Sequence, residues 1–126
     1  MKTKSRKKLT VLLALSLCLS LALPVASFAE STLVNASRSG ASYFITPWTD
    51  YATKSYLGST ERLDYGFNTF LINEDVAYSY SDGSIHRARI LNGTGYHNGP
   101  WVVARENSNL EVQHSGTTVS YYSTAQ

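Results

Sequence analysis

The stretch DVAYSYSDGSIHRARILNG, residues 75–93, decides the fold. Val76, Tyr78 and Tyr80 alternate with Ala77, Ser79 and Ser81, a period of two that belongs to a strand with one wet face. Asp82-Gly83 then supplies a turn dipeptide, because glycine reaches positive φ without a steric penalty. A second run of strand length, Ile85–Leu91, ends at another such dipeptide, Asn92-Gly93.

The same punctuation continues outward. Asn98-Gly99 and Ser115-Gly116 bound further runs, giving strands over Phe67–Asn73, Asp75–Ser81, Ile85–Leu91, Trp101–Glu106, Leu110–His114 and Thr117–Tyr122. Leu110, Val112 and His114 alternate with Glu111 and Gln113. After residue 30 no stretch carries an apolar stripe at i, i+3, i+4, i+7, so helices are not expected. Nine Tyr and two Trp supply ring side chains that pack well across pleated surfaces. Strands every 8–12 residues with Gly-centred turns predict an all-β chain, a small antiparallel β-sandwich spanning residues 63–126. Residues 30–62 read as an irregular N-terminal extension of the same domain. It has one or two edge strands at Leu33-Val34 and Tyr43–Thr46, and Ser59–Arg62 offers one short helical turn.

The first 29 residues read as an address. Met1–Lys8 is basic, Leu9–Leu23 is apolar, and Ser27 and Ala29 place small residues at −3 and −1 of a cut after Ala29. The run is too short to be a stable membrane span. Cys18 follows Leu17 rather than a small residue, which argues against a lipoprotein. The expectation is a cleaved signal peptide, a mature chain beginning at Glu30, and a secreted, extracellular protein.

Charge follows from the same division. The full chain has 11 Lys+Arg against 9 Asp+Glu, formally +2. Five of the basic residues lie within Lys2–Lys8, so residues 30–126 carry six basic and nine acidic groups, net −3. That balance argues against a nucleic-acid partner. The lone Cys18 falls before residue 30, which excludes a disulfide scaffold, a zinc ribbon and thiol chemistry. His86, His97 and His114 lack metal-ligand spacing, so no metal and no cofactor are expected. There is no GxSxG, and the adjacent acids Glu74 and Asp75 point to opposite faces of a strand. The chain is read as a binder and not as an enzyme.

Two features suggest what it binds. Arg87 and Arg89 lie two apart on one strand, facing the same way, next to the Gly-rich turn Asn92–Gly95. Two guanidiniums beside backbone N–H donors suit a pyrophosphate. Flat rings at Trp48, Tyr96, Trp101 and Tyr121/Tyr122 suit sugar faces or a lipid–water boundary, although Trp101 reads as the core plug of the sandwich. Arg87, Arg89 and Tyr96 are the candidate ligand-binding residues.

Tyr65–Tyr122 also resembles the lactococcin 972 family of secreted bacteriocins. The resemblance is carried by Tyr65-Gly66, Ala77-Tyr78-Ser79-Tyr80, and Asp82-Gly83-Ser84-Ile85-His86 with Ala88. Gly99-Pro100-Trp101-Val102-Val103-Ala104, Asn107 and Ser120-Tyr121-Tyr122 continue it. Tyr65 stands where the family often has Trp, and Ser31–Thr60 has no counterpart. The resemblance implies a β-sandwich that acts as a non-enzymatic antibacterial on the envelope of related bacteria. Its implied partner is a cell-wall precursor such as lipid II, or an envelope glycan, with an immunity protein or transporter in the producer. The alternative is a secreted carbohydrate- or cell-wall-binding module without toxicity. Association as a homodimer is left open.

Overall fold

A computed structural model describes residues 29–126. The expected signal peptide therefore lies outside the described residues, apart from Ala29. Eight strands follow in order: β1 Ser31–Ser39, β2 Trp48–Tyr56, β3 Ser59–Asn68, β4 Glu74–Ser81, β5 His86–Asn92, β6 Gly95–Asn98, β7 Asn107–Gln113 and β8 Thr118–Ala125. They form two four-stranded antiparallel sheets, β1-β8-β5-β6 and β2-β3-β4-β7, packed face to face as a sandwich. The all-β sandwich expected from residues 75–93 is what the chain forms. β4 and β5, joined through Asp82-Gly83, nevertheless belong to different sheets.

Residues 30–62 differ from the expected irregular extension. Their strands β1 and β2 and the first part of β3 are regular, and β1 pairs with β8 along almost its whole length. Local periodicity is faint there for a physical reason. β1 and β2 are edge strands, with only Leu33 and Val34 fully buried in β1 and no residue of β2 buried. Their order comes from ladder hydrogen bonds, of β1 to distant β8 and of β2 to β3 across a tight hairpin, and not from an apolar stripe. Ser59–Arg62 is the start of β3 rather than a helical turn, while the only helix is a 3-10 turn at Ala41–Phe44 among the described residues. β3 stops at Asn68, so most of the expected Phe67–Asn73 strand is a loop. Trp101–Glu106 is also irregular, with one isolated bridge between Val102 and His86 and with Arg105, at φ 70, donating its N–H to the Ser81 carbonyl at 2.7 Å.

The inner faces are unequal along their length. Leu33, Phe44, Leu63, Tyr65, Phe67, Ile90, Val119 and Tyr121 make one buried apolar cluster. Tyr121 packs against Tyr65 at 5.0 Å between ring centroids and donates its hydroxyl to the Gly66 carbonyl at 3.2 Å. Burial pushes the Tyr121 phenol's pKa up. Gly66 is required at its position: a Cβ there would lie 2.3 Å from the Trp48 carbonyl oxygen. Toward the other end the interior is polar. Ser79 and Ser123 share a hydrogen bond of 2.5 Å between the sheets. Buried Glu61 accepts from the Ser59 and Ser81 hydroxyls. His86 is fully buried, its ring nitrogens 2.9 Å from the Ser84 carbonyl and 3.1 Å from that of Ser79. β4 thus turns Ala77, Ser79 and Ser81 inward and sends Tyr78 and Tyr80 toward solvent.

Because the chain runs up and down, the connections segregate. β1–β2, β3–β4, β5–β6 and β7–β8 are joined at one end of the sandwich. The β2–β3, β4–β5 and β6–β7 joins lie at the opposite end, together with Glu30 and Gln126.

Candidate functional site

β5 buries His86, Ala88, Ile90 and Asn92, which leaves Arg87, Arg89 and Leu91 on the outer face. Pairing sets Arg87 beside Thr124, Arg89 between Tyr122 and Asn98, and Leu91 beside Tyr96. The structure therefore brings Arg87, Arg89 and Tyr96 together. The Arg89 guanidinium sits 4.6 Å from the Tyr96 ring centroid, and its Nε donates to Asn98 Oδ1 at 2.7 Å.

Their surroundings differ from the expectation in two ways. First, Glu30 occupies the space between the guanidiniums. Arg87 Nε and Nη2 donate to Glu30 Oε1 and Oε2 at 3.0 and 2.8 Å, a bidentate pair, and Arg89 Nη1 lies 3.4 Å from Oε2. The Thr124 hydroxyl donates to the same carboxylate. The Arg87 hydrogen bond, helped by Thr124 and the charge of Arg89, holds the Glu30 carboxyl below its ordinary range against the opposing effect of burial. Second, the turn's backbone donors are already used. Gly93 N–H donates to the Ser115 carbonyl at 2.8 Å and Thr94 N–H to Asn92 Oδ1 at 3.0 Å. Glu30 thus closes the arginine pair, while the turn, at the other end of β5 from Arg87, is separately satisfied by Ser115 and Asn92.

Trp101 also differs. It is half-buried and outside the core cluster, and its ring lies 4.4 Å from the Arg87 guanidinium. The core plug is Tyr121 instead.

The other sheet presents a different outer face. One row crosses all four strands as Tyr51, Asp64, Tyr78 and Asn109. The row beside it is Thr53, Arg62, Tyr80 and Asn107, and on the far side lie Thr49, Gly66, Val76 and Glu111. Arg62 donates to both oxygens of Asp64 at 2.8 and 2.7 Å, and its guanidinium lies 4.5 Å from the Tyr51 ring centroid. The Tyr78 hydroxyl donates to Glu111 Oε1 at 2.5 Å. That bond to a carboxylate, followed by desolvation, pushes the Tyr78 phenol up to about 12. A depression of about 540 Å³ lies over Tyr51, Arg62, Asp64 and Tyr78. A second, of about 530 Å³, lies over Tyr78, Asn107, Asn109 and Glu111. Tyr78 lines both, so the two depressions adjoin on a shallow, grooved face of the sheet.

Chemically this groove offers ring faces, carboxylate and amide acceptors, and one guanidinium. These groups suit hydroxyl-rich, ring-shaped ligands, whose C–H faces stack on Tyr and whose hydroxyls bond to Asp, Asn and Glu. The sequence reading missed Tyr51 and Arg62 because they fall in the segment read as irregular, and Asp64 because it precedes the first strand read in the sandwich. The period-two spacing of Arg62 with Asp64 was the available signal, and only pairing sets them beside Tyr51 and Tyr78.

The remaining candidates scatter. Trp48 lies at the sheet edge, where the Arg38 guanidinium sits 5.3 Å from its ring and bonds to Asp50 at 2.5 Å. Tyr122 faces Tyr96 on the outer surface at 6.3 Å. His114 bonds to buried Asp75 at 2.7 Å and stacks on Phe44, while His97 meets the Thr94 hydroxyl at 2.8 Å. Among the described residues no three His, Cys, Asp or Glu side chains cluster as metal ligands would. Compared with known proteins, the chain matches no family model, no curated protein and no solved structure.

Proposed function

We propose that the protein is exported and acts outside the cell as a non-enzymatic binder of the bacterial envelope. Its ligand in this reading is an envelope glycan or the sugar part of a cell-wall precursor such as lipid II. The observation that carries it is the groove centred on Tyr78, where Tyr51, Arg62, Asp64, Asn109 and Glu111 converge across four strands. Each stacked ring contributes roughly 0.5–1.5 kcal/mol, which suits reversible sugar recognition. The resemblance of Tyr65–Tyr122 to the lactococcin 972 family supports an antibacterial outcome. The alternative, a wall-binding module without toxicity, is favoured by the Glu30 carboxylate. It neutralises part of the Arg87–Arg89 cluster that a pyrophosphate would need.

Titration calorimetry with a soluble N-acetylated cell-wall disaccharide tests the reading, using wild type and the variant Tyr51→Ala plus Tyr78→Ala. Loss of two stacked rings is expected to weaken binding by about tenfold or more. Absence of wild-type binding, or unchanged affinity in the variant, overturns the glycan reading. Growth inhibition of related Gram-positive cells by the wild type separates an antibacterial from a non-toxic module.

A further inference from the structure

The β3–β4 connection places three apolar side chains in water. Phe70 is 90% exposed, Leu71 85% and Ile72 50%. The loop is held at both ends: Asn68 Oδ1 accepts from Phe70 N–H at 3.5 Å, and the Asn73 carbonyl accepts from His114 N–H at 2.8 Å. An anchored loop with its apolar residues pointing outward is a built projection.

The neighbouring connections extend it. Trp48 pairs with Phe67, so the β1–β2 connection leaves the sandwich beside the Phe70 loop. It carries Ile45, 70% exposed, and Tyr43, 47% exposed, while Phe44 between them is fixed in the core. Tyr43 has an apolar body and a polar tip, the type of ring that sits at a lipid–water boundary. Hydrogen bonds from Gly40 N–H to Thr117, from Gly93 N–H to Ser115 and from His114 N–H to Asn73 tie the other three connections of this end to the β7–β8 connection.

Charge is distributed unequally between the two ends. The four connections here, residues 40–47, 69–73, 93–94 and 114–117, contain no Asp, Glu, Lys or Arg. Glu30, Asp82, Arg105 and Glu106 all lie at the opposite end. Connections without charged side chains, tipped with Phe, Leu and Ile, cost little to dehydrate and gain by entering hydrocarbon. The charges nearest them, Arg38 beside Tyr43 and Glu74 after Asn73, belong to the strands behind.

We infer that this end of the sandwich is a bilayer-contacting tip, with Phe70, Leu71 and Ile72 entering the acyl boundary of a membrane. A convex projection fits a fluid surface. A second copy would have to bring a matching cavity, and three side chains present on the order of a few hundred Å², below the ~800 Å² per partner of a stable interface. With no charge in the four connections and a net −3 body, attachment depends on apolar entry rather than on anionic lipid.

Co-sedimentation of the secreted protein with neutral phosphatidylcholine vesicles tests this. Wild type is expected to pellet with the vesicles, with little dependence on salt. Phe70→Ser plus Leu71→Ser is expected to lower partitioning roughly ten- to a hundredfold, as two apolar side chains are lost from hydrocarbon. Leu57→Ser, at a site 91% exposed at the opposite end, is expected to pellet like wild type. Thermal melting of each variant checks that the fold is kept. Wild type left in the supernatant, or a double variant that pellets equally, overturns the inference. So does a vesicle-free wild-type dimer that the double variant converts to monomer. These vesicles carry no glycan and the disaccharide carries no lipid, so either proposal can fail while the other stands.

Discussion

Replacing Glu30 by Gln isolates the charge at the centre of the Arg87–Arg89 cluster while keeping the side chain's shape. Two Arg87 hydrogen bonds, one Thr124 hydroxyl and the Arg89 charge converge on this carboxylate. The side chains of Arg87 and Glu30 are 18% and 22% exposed, so solvent screens the pair only in part. An exposed pair contributes about 0.2–1 kcal/mol and a charge-assisted hydrogen bond about 1.5–3 kcal/mol. This partly screened, bidentate case belongs between them, at about 1–2 kcal/mol, including the repulsion left between the two arginines. For a domain of this size the melting temperature should fall by roughly 5–12 °C. The pH dependence carries the sharper signature. The folded state lowers the Glu30 pKa below its ordinary 4.5, so its contribution is fully present above that value. It is lost as pH falls through the depressed folded-state value. Wild type and Glu30→Gln should therefore differ most near neutrality and converge in acid. Melting curves followed by circular dichroism between pH 7 and pH 3 make the comparison. A difference that stays constant across that range, or none at pH 7, would show that the carboxylate's charge does not hold the cluster.

Two further outcomes follow from the packing. Trp101→Ala removes a half-buried ring lying against Arg87, so it should cost about 1–2 kcal/mol. Tyr121→Ala, which empties a fully buried site, should cost about 3–5 kcal/mol; urea titration in which Trp101→Ala is the more damaging refutes that assignment. Tyr78 should ionise near pH 12, and Glu111→Gln should bring it back toward 10, because the bond to the carboxylate is the largest cause of the shift. Ultraviolet titration of the tyrosinate band reads this directly, and an unchanged profile in the variant would exclude the Tyr78–Glu111 bond.

Local chemistry made β4 and β5 legible. Residues 75–93 contain both an alternation of two and two Gly-centred turns, and those are properties of neighbouring residues. The sequence by itself determined the all-β class, β4, β5, β7 and β8 in outline, and that Arg87 and Arg89 face the same way, while Phe67–Asn73 and Trp101–Glu106 were misread as strands and β6 went unread. The sequence marked β1 only at Leu33-Val34, the two residues that strand buries, and did not reveal β2, which buries no side chain and so leaves no periodic trace. Only the tertiary structure decided that Ala77, Ser79 and Ser81 face inward, since the opposite sheet brings Ser123 within hydrogen-bonding distance of Ser79. The same is true of the sites. Glu30 meets Arg87 from 57 positions away and Thr124 from 94, and Tyr51 meets Asp64 only through the β2–β3 register. Turn and strand propensities act over a few residues, whereas those contacts depend on which strands pair and in what register. That choice is made by burying one common core, and no short stretch of the chain contains it.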